Sequence, residues 1–320
     1  MTISKTLSIA ATVMTVAAGI SVSNLALAKA KPQKTDESAT IEVLTTYPHG
    51  NFLENLEVQQ DGRLLFTNYP TKSIEVMEQG GQTKTFSTLS AYPLSLISID
   101  GGYLVAASGK SLLLGENVVG SQQFILLDKN GKQIGQFDAP QVMYLNGMVR
   151  LGNNVILAVD SLSGNIWQVN PKTQEISSWI QDESLSPLAD QKMFIPGANG
   201  VKLRSDGLIV SNTSKGTLSL IRIGEDGKPQ GKPELLAKVG MIDDFWVRED
   251  GSILFTTHGE TVKSLSISGE ITTIVADGAG GATAIAPYPL NQDSRFVMIN
   301  DGNIYFGKKD LVEVLLVTIK

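Results

Sequence analysis

Four side chains that carry oxygen recur in phase along this chain. Counting back eight residues from the second residue of successive turn dipeptides reaches Glu54 (from Gly62), Asn146 (from Asn154), Asn199 (from Gly207) and Asp243 (from Gly251). The remaining dipeptide, Gly101-Gly102, reaches Leu94. Carboxylate and amide oxygens are hard ligands that suit calcium, magnesium or manganese, and two carboxylates roughly neutralise a divalent ion. Glu54, Asn199 and Asp243 therefore read as candidate metal ligands. Asp244 stands beside Asp243, and a ruler good to one residue leaves both open as ligand or general base. The competing reading takes Asn146-Gly147 and Asn199-Gly200 as ordinary turn pairs. A shared phase would then be coincidence.

The chain has two histidines. His258 lies seven residues past Gly251, where a ligand, a base or a substrate contact could face the same mouth. His49, in Pro48-His49-Gly50, sits on the same side. For each, a structural loop hydrogen bond is the alternative. No cysteine occurs, so thiolate zinc sites, disulfides and cysteine nucleophiles are excluded. There is no Gly-x-Ser-x-Gly elbow and no His-Glu-x-x-His helix motif.

The elements that must position these residues are short β-type runs in pairs. They are Leu53–Val58 with Leu64–Asn68, Leu94–Ile99 with Tyr103–Ala107, Gly147–Leu151 with Val155–Asp160, Gly200–Leu203 with Leu208–Asn212, and Phe245–Val247 with Ile253–Thr257. Dipeptides such as Asp61-Gly62, Asp206-Gly207 and Asp250-Gly251 join them and favour the positive φ of tight hairpins. Two further strand-like runs follow each pair. Four antiparallel strands in roughly 45 residues is the signature of a propeller blade. A sixth, less regular unit starts near Ala282, includes Arg295–Asn300 and Val312–Ile319, and lacks a fourth strand. Ile41–Thr46 is the natural donor. The expected fold is all-β: a six-bladed β-propeller whose last blade is closed by an N-terminal strand, with a pair of β-sandwiches as the rival. Inner strands line the channel of such a ring, so residues far apart in sequence meet at one mouth.

Residues 1–28 read as a secretory signal peptide: Lys5, an apolar run from Leu7 to Ile20, and an A-x-A site at Ala26-Leu27-Ala28, with Ala28-Lys29-Ala30 as a second candidate. A polar linker, 29–38, precedes a single propeller domain, 39–320. The expected product is exported, periplasmic or secreted, and off the membrane once cleaved. The net charge of −6 and the lack of a basic stripe argue against a nucleic-acid partner and leave a small molecule as the expected one.

The blade motifs resemble the senescence-marker-protein (regucalcin)/gluconolactonase/LRE-like family. The resemblance is carried by Phe52-Leu53-Glu54-Asn55-Leu56, Leu145-Asn146-Gly147-Met148, Ala198-Asn199-Gly200-Val201, Ile242-Asp243-Asp244-Phe245 and Thr257-His258, and is closest to a divergent extracellular branch. It departs at Asn55-Leu56, where the family has Gly-Pro, and at Ile242-Asp243-Asp244, where it has Pro-Asp-Gly. The resemblance implies one divalent cation in the channel, calcium first with magnesium, manganese or zinc as alternatives, and hydrolysis of a lactone or related cyclic ester. Glu54, Asn199 and Asp243 would hold the metal, Asp243 or Asp244 would act as base, and Asn146, His258 and His49 would contact substrate. A non-catalytic ligand-binding propeller and a biosynthetic cyclase-like propeller are the alternatives.

Overall fold

A computed structural model of the chain describes residues 39–320 apart from Gly80, Asn153, Asn291, Tyr305, Phe306 and Lys309. The segments assigned to signal peptide and linker lie outside the described residues. Six antiparallel four-stranded sheets follow one another around a ring. Strand β1 (Ala39–Tyr47) comes first. Blade one is β2 (Leu53–Val58), β3 (Leu64–Asn68), β4 (Ser73–Met77) and β5 (Thr83–Thr88); blade two is β6 (Tyr92–Ile99), β7 (Gly102–Ser108), β8 (Gln122–Asp128) and β9 (Gln133–Asp138). Blade three is β10 (Leu145–Gly152), β11 (Val155–Asp160), β12 (Asn165–Asn170) and β13 (Glu175–Gln181); blade four is β14 (Ala198–Arg204), β15 (Gly207–Asn212), β16 (Thr217–Ile223) and β17 (Pro229–Lys238). Blade five is β18 (Ile242–Val247), β19 (Ile253–Thr257), β20 (Val262–Leu265) and β21 (Ile271–Val275). Blade six is β22 (Ala282–Pro287), β23 (Arg295–Asn300), β24 (Val312–Ile319) and, as its outer strand, β1. Ala39 pairs with Ile319 and Tyr47 with Val312, so the two ends of the ring are joined by backbone hydrogen bonds. The six-bladed ring with its N-terminal closure is the expected fold.

The core is not central. It is divided into six apolar wedges, one between each pair of neighbouring blades. Strand side chains alternate between faces, and here both faces are covered. Leu64 and Phe66 of β3 pack toward blade six while Leu65 packs toward blade two. Leu208 and Val210 of β15 pack toward blade three, and Ile209 toward blade five. Second strands therefore read as continuous apolar runs rather than as alternating ones. The hairpin turns have the backbone their residues favour: Gly62, Gly251 and Asn154 have φ of 83°, 82° and 57°.

One local feature corrects the expected strand boundaries. Every inner strand begins with a β-bulge. The register slips between Leu53 and Leu56, Pro93 and Ser95, Leu145 and Met148, Ala198 and Val201, Ile242 and Phe245, and Ala282 and Ala284. Each slip inserts one residue against its partner strand. Asn146-Gly147 and Asn199-Gly200 are thus inside β10 and β14 and are not turns. They look like turn pairs because a bulge, like a turn, needs small or polar residues that leave the ladder. At Gly147 a Cβ would come within 2.5 Å of the Asn199 carbonyl oxygen, so glycine is what lets blades three and four approach. Gly147→Ala is expected to cost about 1–3 kcal/mol through overpacking and to lower the Tm by roughly 5 °C. An unchanged thermal transition would contradict this close approach.

Candidate metal and catalytic centre at the channel mouth

The bulges explain the eight-residue phase. A bulge leaves one side chain out of the ladder and re-aims it. Glu54, Asn199 and Asp243 each occupy the first bulge position of their strand, and all three line one cleft with His258. In three blades a hydroxyl on the second strand receives the N–H of the second bulge residue. Thr67 accepts from Asn55 (3.0 Å), Ser211 from Gly200 (2.7 Å) and Thr256 from Asp244 (3.2 Å). Blade three has Val159 opposite its bulge. The second bulge side chain ties its blade to the next: Asn55 Oδ1 accepts from Leu96 N (2.9 Å), and Asp244 Oδ2 accepts from Ile285 N (3.4 Å).

Within the cleft, Asn199 Nδ2 donates to Asp243 Oδ1 (2.5 Å) and to Thr213 Oγ1 (2.9 Å). His258 Nε2 lies 3.3 Å from Asp243 Oδ2. Thr213 and His258 are the residues immediately after β15 and β19, and the same position after β23 is Asp301, 2% exposed. Sequence reasoning did not find Asp301. Its ruler needs a turn dipeptide, and the hairpin between β22 and β23 has none. Position after the second strand, already marked by His258, was the usable signal.

The two bulge carboxylates of blade five part company. Asp243 faces the cleft. Asp244 pairs with Lys202 Nζ at 2.7 Å in the channel and does not line the cleft. Asn146 is buried on β10, and it too is absent from the cleft wall. His49 is exposed; its Nδ1 lies 2.9 Å from the Asp310 carbonyl oxygen, which anchors the loop before β2 to the start of β24.

The electrostatics of the cluster are those of crowded buried anions. Burial, then the charges of Asp243, Asp301 and Asp244, push the Glu54 carboxyl well above the usual range. Burial and Asp244 do the same to Asp243, against the opposing hydrogen bond from Asn199 and the charge of Lys202. Asp301 is raised to about 6, chiefly by burial, although the Asn303 N–H donates to it. Burial lowers His258, opposed by Asp301. Carboxylates from blades one, five and six thus share a site whose negative charge exceeds its cationic partners. In element and charge this donor set fits a hard divalent cation. Among the described residues no group of three or more His, Asp and Glu side chains is arranged to hold an ion.

No family model and no curated protein matches the sequence. Solved structures do match it. The chain is similar to luciferin-regenerating enzyme (TM-score 0.66, 10% identity, 88% of this chain and 95% of that one). It is similar to the gluconolactonase XC5397 of Xanthomonas campestris (TM-score 0.64, 12% identity, 88% and 90%). It is also similar to the calcium-binding protein regucalcin of Agrobacterium tumefaciens (TM-score 0.63, 15% identity, 88% and 95%). The fold is that of the gluconolactonase- and regucalcin-like six-bladed propellers. At these identities the likeness defines the fold alone.

Proposed function

We propose that this protein is a metal-dependent hydrolase acting on a lactone or related cyclic ester at the channel mouth. The observation that carries the reading is the meeting of Glu54, Asn199, Asp243 and His258 on the floor of one cleft, with the Asp301 carboxylate near enough to push the Glu54 carboxyl up. The named lactonase and calcium-binding neighbours share the scaffold that produces this meeting. Glu54, Asn199 and Asp243 would hold the cation, which when bound supplies Lewis-acid polarisation of a carbonyl.

The chain's own residues then divide the remaining work. Asp243 is the carboxylate placed to take a proton from water, because it lines the cleft and its environment raises its basicity. His258, kept neutral near pH 7 by burial, lies against its Oδ2 and orients it. Asn199 fixes the other carboxylate oxygen from blade four, and Thr213 holds Asn199 in turn. Asp301 adds negative charge beside His258 and favours its protonated form as a proton arrives.

Metal removal tests the reading. Chelator-treated protein is expected to lose lactone hydrolysis and to regain it on addition of calcium or manganese, measured by acid release from a lactone panel. Full turnover in metal-stripped protein would overturn the metal requirement. Stoichiometric calcium binding with no turnover of any lactone or ester would favour a binding propeller instead.

A further inference from the structure

The floor of the cleft is polar, but its wall is not. Met193, Phe194, Ile195 and Pro196, from the segment between β13 and β14, and Met241, just before β18, present carbon and sulfur to the same space that Glu54, Asn199, Asp243 and His258 enter from below. The wall is held open by specific bonds. Gln191 Nε2 donates to Leu188 O (3.0 Å) and Ser214 Oγ (2.9 Å), and Gln191 Oε1 accepts from Ile195 N (3.0 Å). Ser214 N donates to Pro196 O (2.9 Å), and Thr213 N to Gly197 O (3.1 Å). The Phe194 ring stands edge-on to Tyr144 at 5.2 Å. Thr213 thus belongs both to this clamp and to the polar floor, through Asn199.

From this division we infer the substrate class, an inference that rests on the hydrolase reading above: an amphiphilic lactone or cyclic ester, with an alkyl or aryl body against the wall and its carbonyl on the floor. A sugar lactone carries a hydroxyl on nearly every ring carbon. Against a wall of apolar side chains those hydroxyls would lose water for few hydrogen bonds, a cost that disfavours them. An apolar body gains instead, up to about 0.8 kcal/mol, or roughly fourfold, per methylene buried. Two methionines among the wall residues adapt to differing shapes, so the site selects for apolarity and length rather than for one outline.

The experiment compares γ-nonalactone, γ-butyrolactone and glucono-δ-lactone on the full protein with calcium present, by calorimetry and by turnover. The first two differ only by a pentyl chain. γ-Nonalactone is expected to bind on the order of 100-fold more tightly than γ-butyrolactone. Met193 and Met241 are 50% and 40% exposed, so a Met193→Ser, Met241→Ser double variant keeps the fold. It should lose about tenfold more of the γ-nonalactone affinity than of the γ-butyrolactone affinity. Equal affinity for the pair, tighter binding of glucono-δ-lactone, or binding of no lactone overturns the class. Turnover of glucono-δ-lactone without a chain-length preference overturns it while sparing the hydrolase. Tight, variant-sensitive binding of γ-nonalactone without turnover supports the class and overturns the hydrolase.

Discussion

Asp243→Ala is expected to reduce kcat/KM for lactone hydrolysis on the order of 10³-fold, because one change removes a metal ligand and the proposed base together. The same change is expected to leave the metal-free protein as stable as wild type or more so at pH 7–8. This opposition of sign is the useful part. Asp243 raises both Glu54 and Asp301 by repulsion, so its removal relieves two buried carboxylates. The pH dependence follows. Asp301 titrates near 6 in the fold against an ordinary value of 3.8, so between those values the native state holds protons that the unfolded chain releases. Stability of the metal-free protein therefore falls as pH rises through that window. Glu54 and Asp243, both raised, act in the same direction. His258, lowered by burial, acts oppositely below its ordinary value of 6.5, one group against three. Thermal melts of chelated wild type should show Tm falling from pH 5 to pH 7, with a shallower fall in Asp243→Ala. Calcium should reverse the wild-type slope. A variant that keeps wild-type turnover would remove Asp243 from the chemistry.

Asp244→Ala should behave as the opposite kind of change. Its carboxylate neutralises Lys202 at 2.7 Å and accepts from Ile285 N, bonding blade five to blades four and six. Asp244 is 9% exposed, and the Lys202 side chain about a third exposed. Breaking a buried pair costs about 3–5 kcal/mol, and partial solvation of the ammonium reduces this to about 2–3 kcal/mol. The expected result is a Tm lowered by roughly 5–10 °C, measured by calorimetry, with calcium affinity of the folded protein changed severalfold at most. A double variant, Asp244→Asn with Lys202→Met, should recover much of the loss by removing both charges. Loss of calcium binding with an unchanged Tm would instead place Asp244 in the metal shell.

The contrast between these neighbours shows what the sequence could and could not convey. The phase of Glu54, Asn199 and Asp243 is legible because a hairpin of nearly constant length fixes the distance from turn to bulge. The choice between Asp243 and Asp244 is not, because both belong to one bulge and only the third dimension separates cleft from channel. Lys202 carries no signal either: its partner is 42 residues away and on another blade. Asn146 keeps the phase without lining the cleft, a difference from Asn199 that the shared spacing does not reveal. Asp301 escapes because blade six lacks the turn that starts the count. The run Met193-Phe194-Ile195-Pro196 reads equally well as core, and only its placement beside the carboxylates reveals a wall.

The central claim is that the bulges of separate blades bring their oxygens to one ion. A crystal soaked in manganese tests it most directly, by the anomalous signal of the metal. The expected result is one strong peak per chain, bounded by oxygens of Glu54, Asn199 and Asp243. A map with no peak there, or with the ion held elsewhere on the ring, would contradict it.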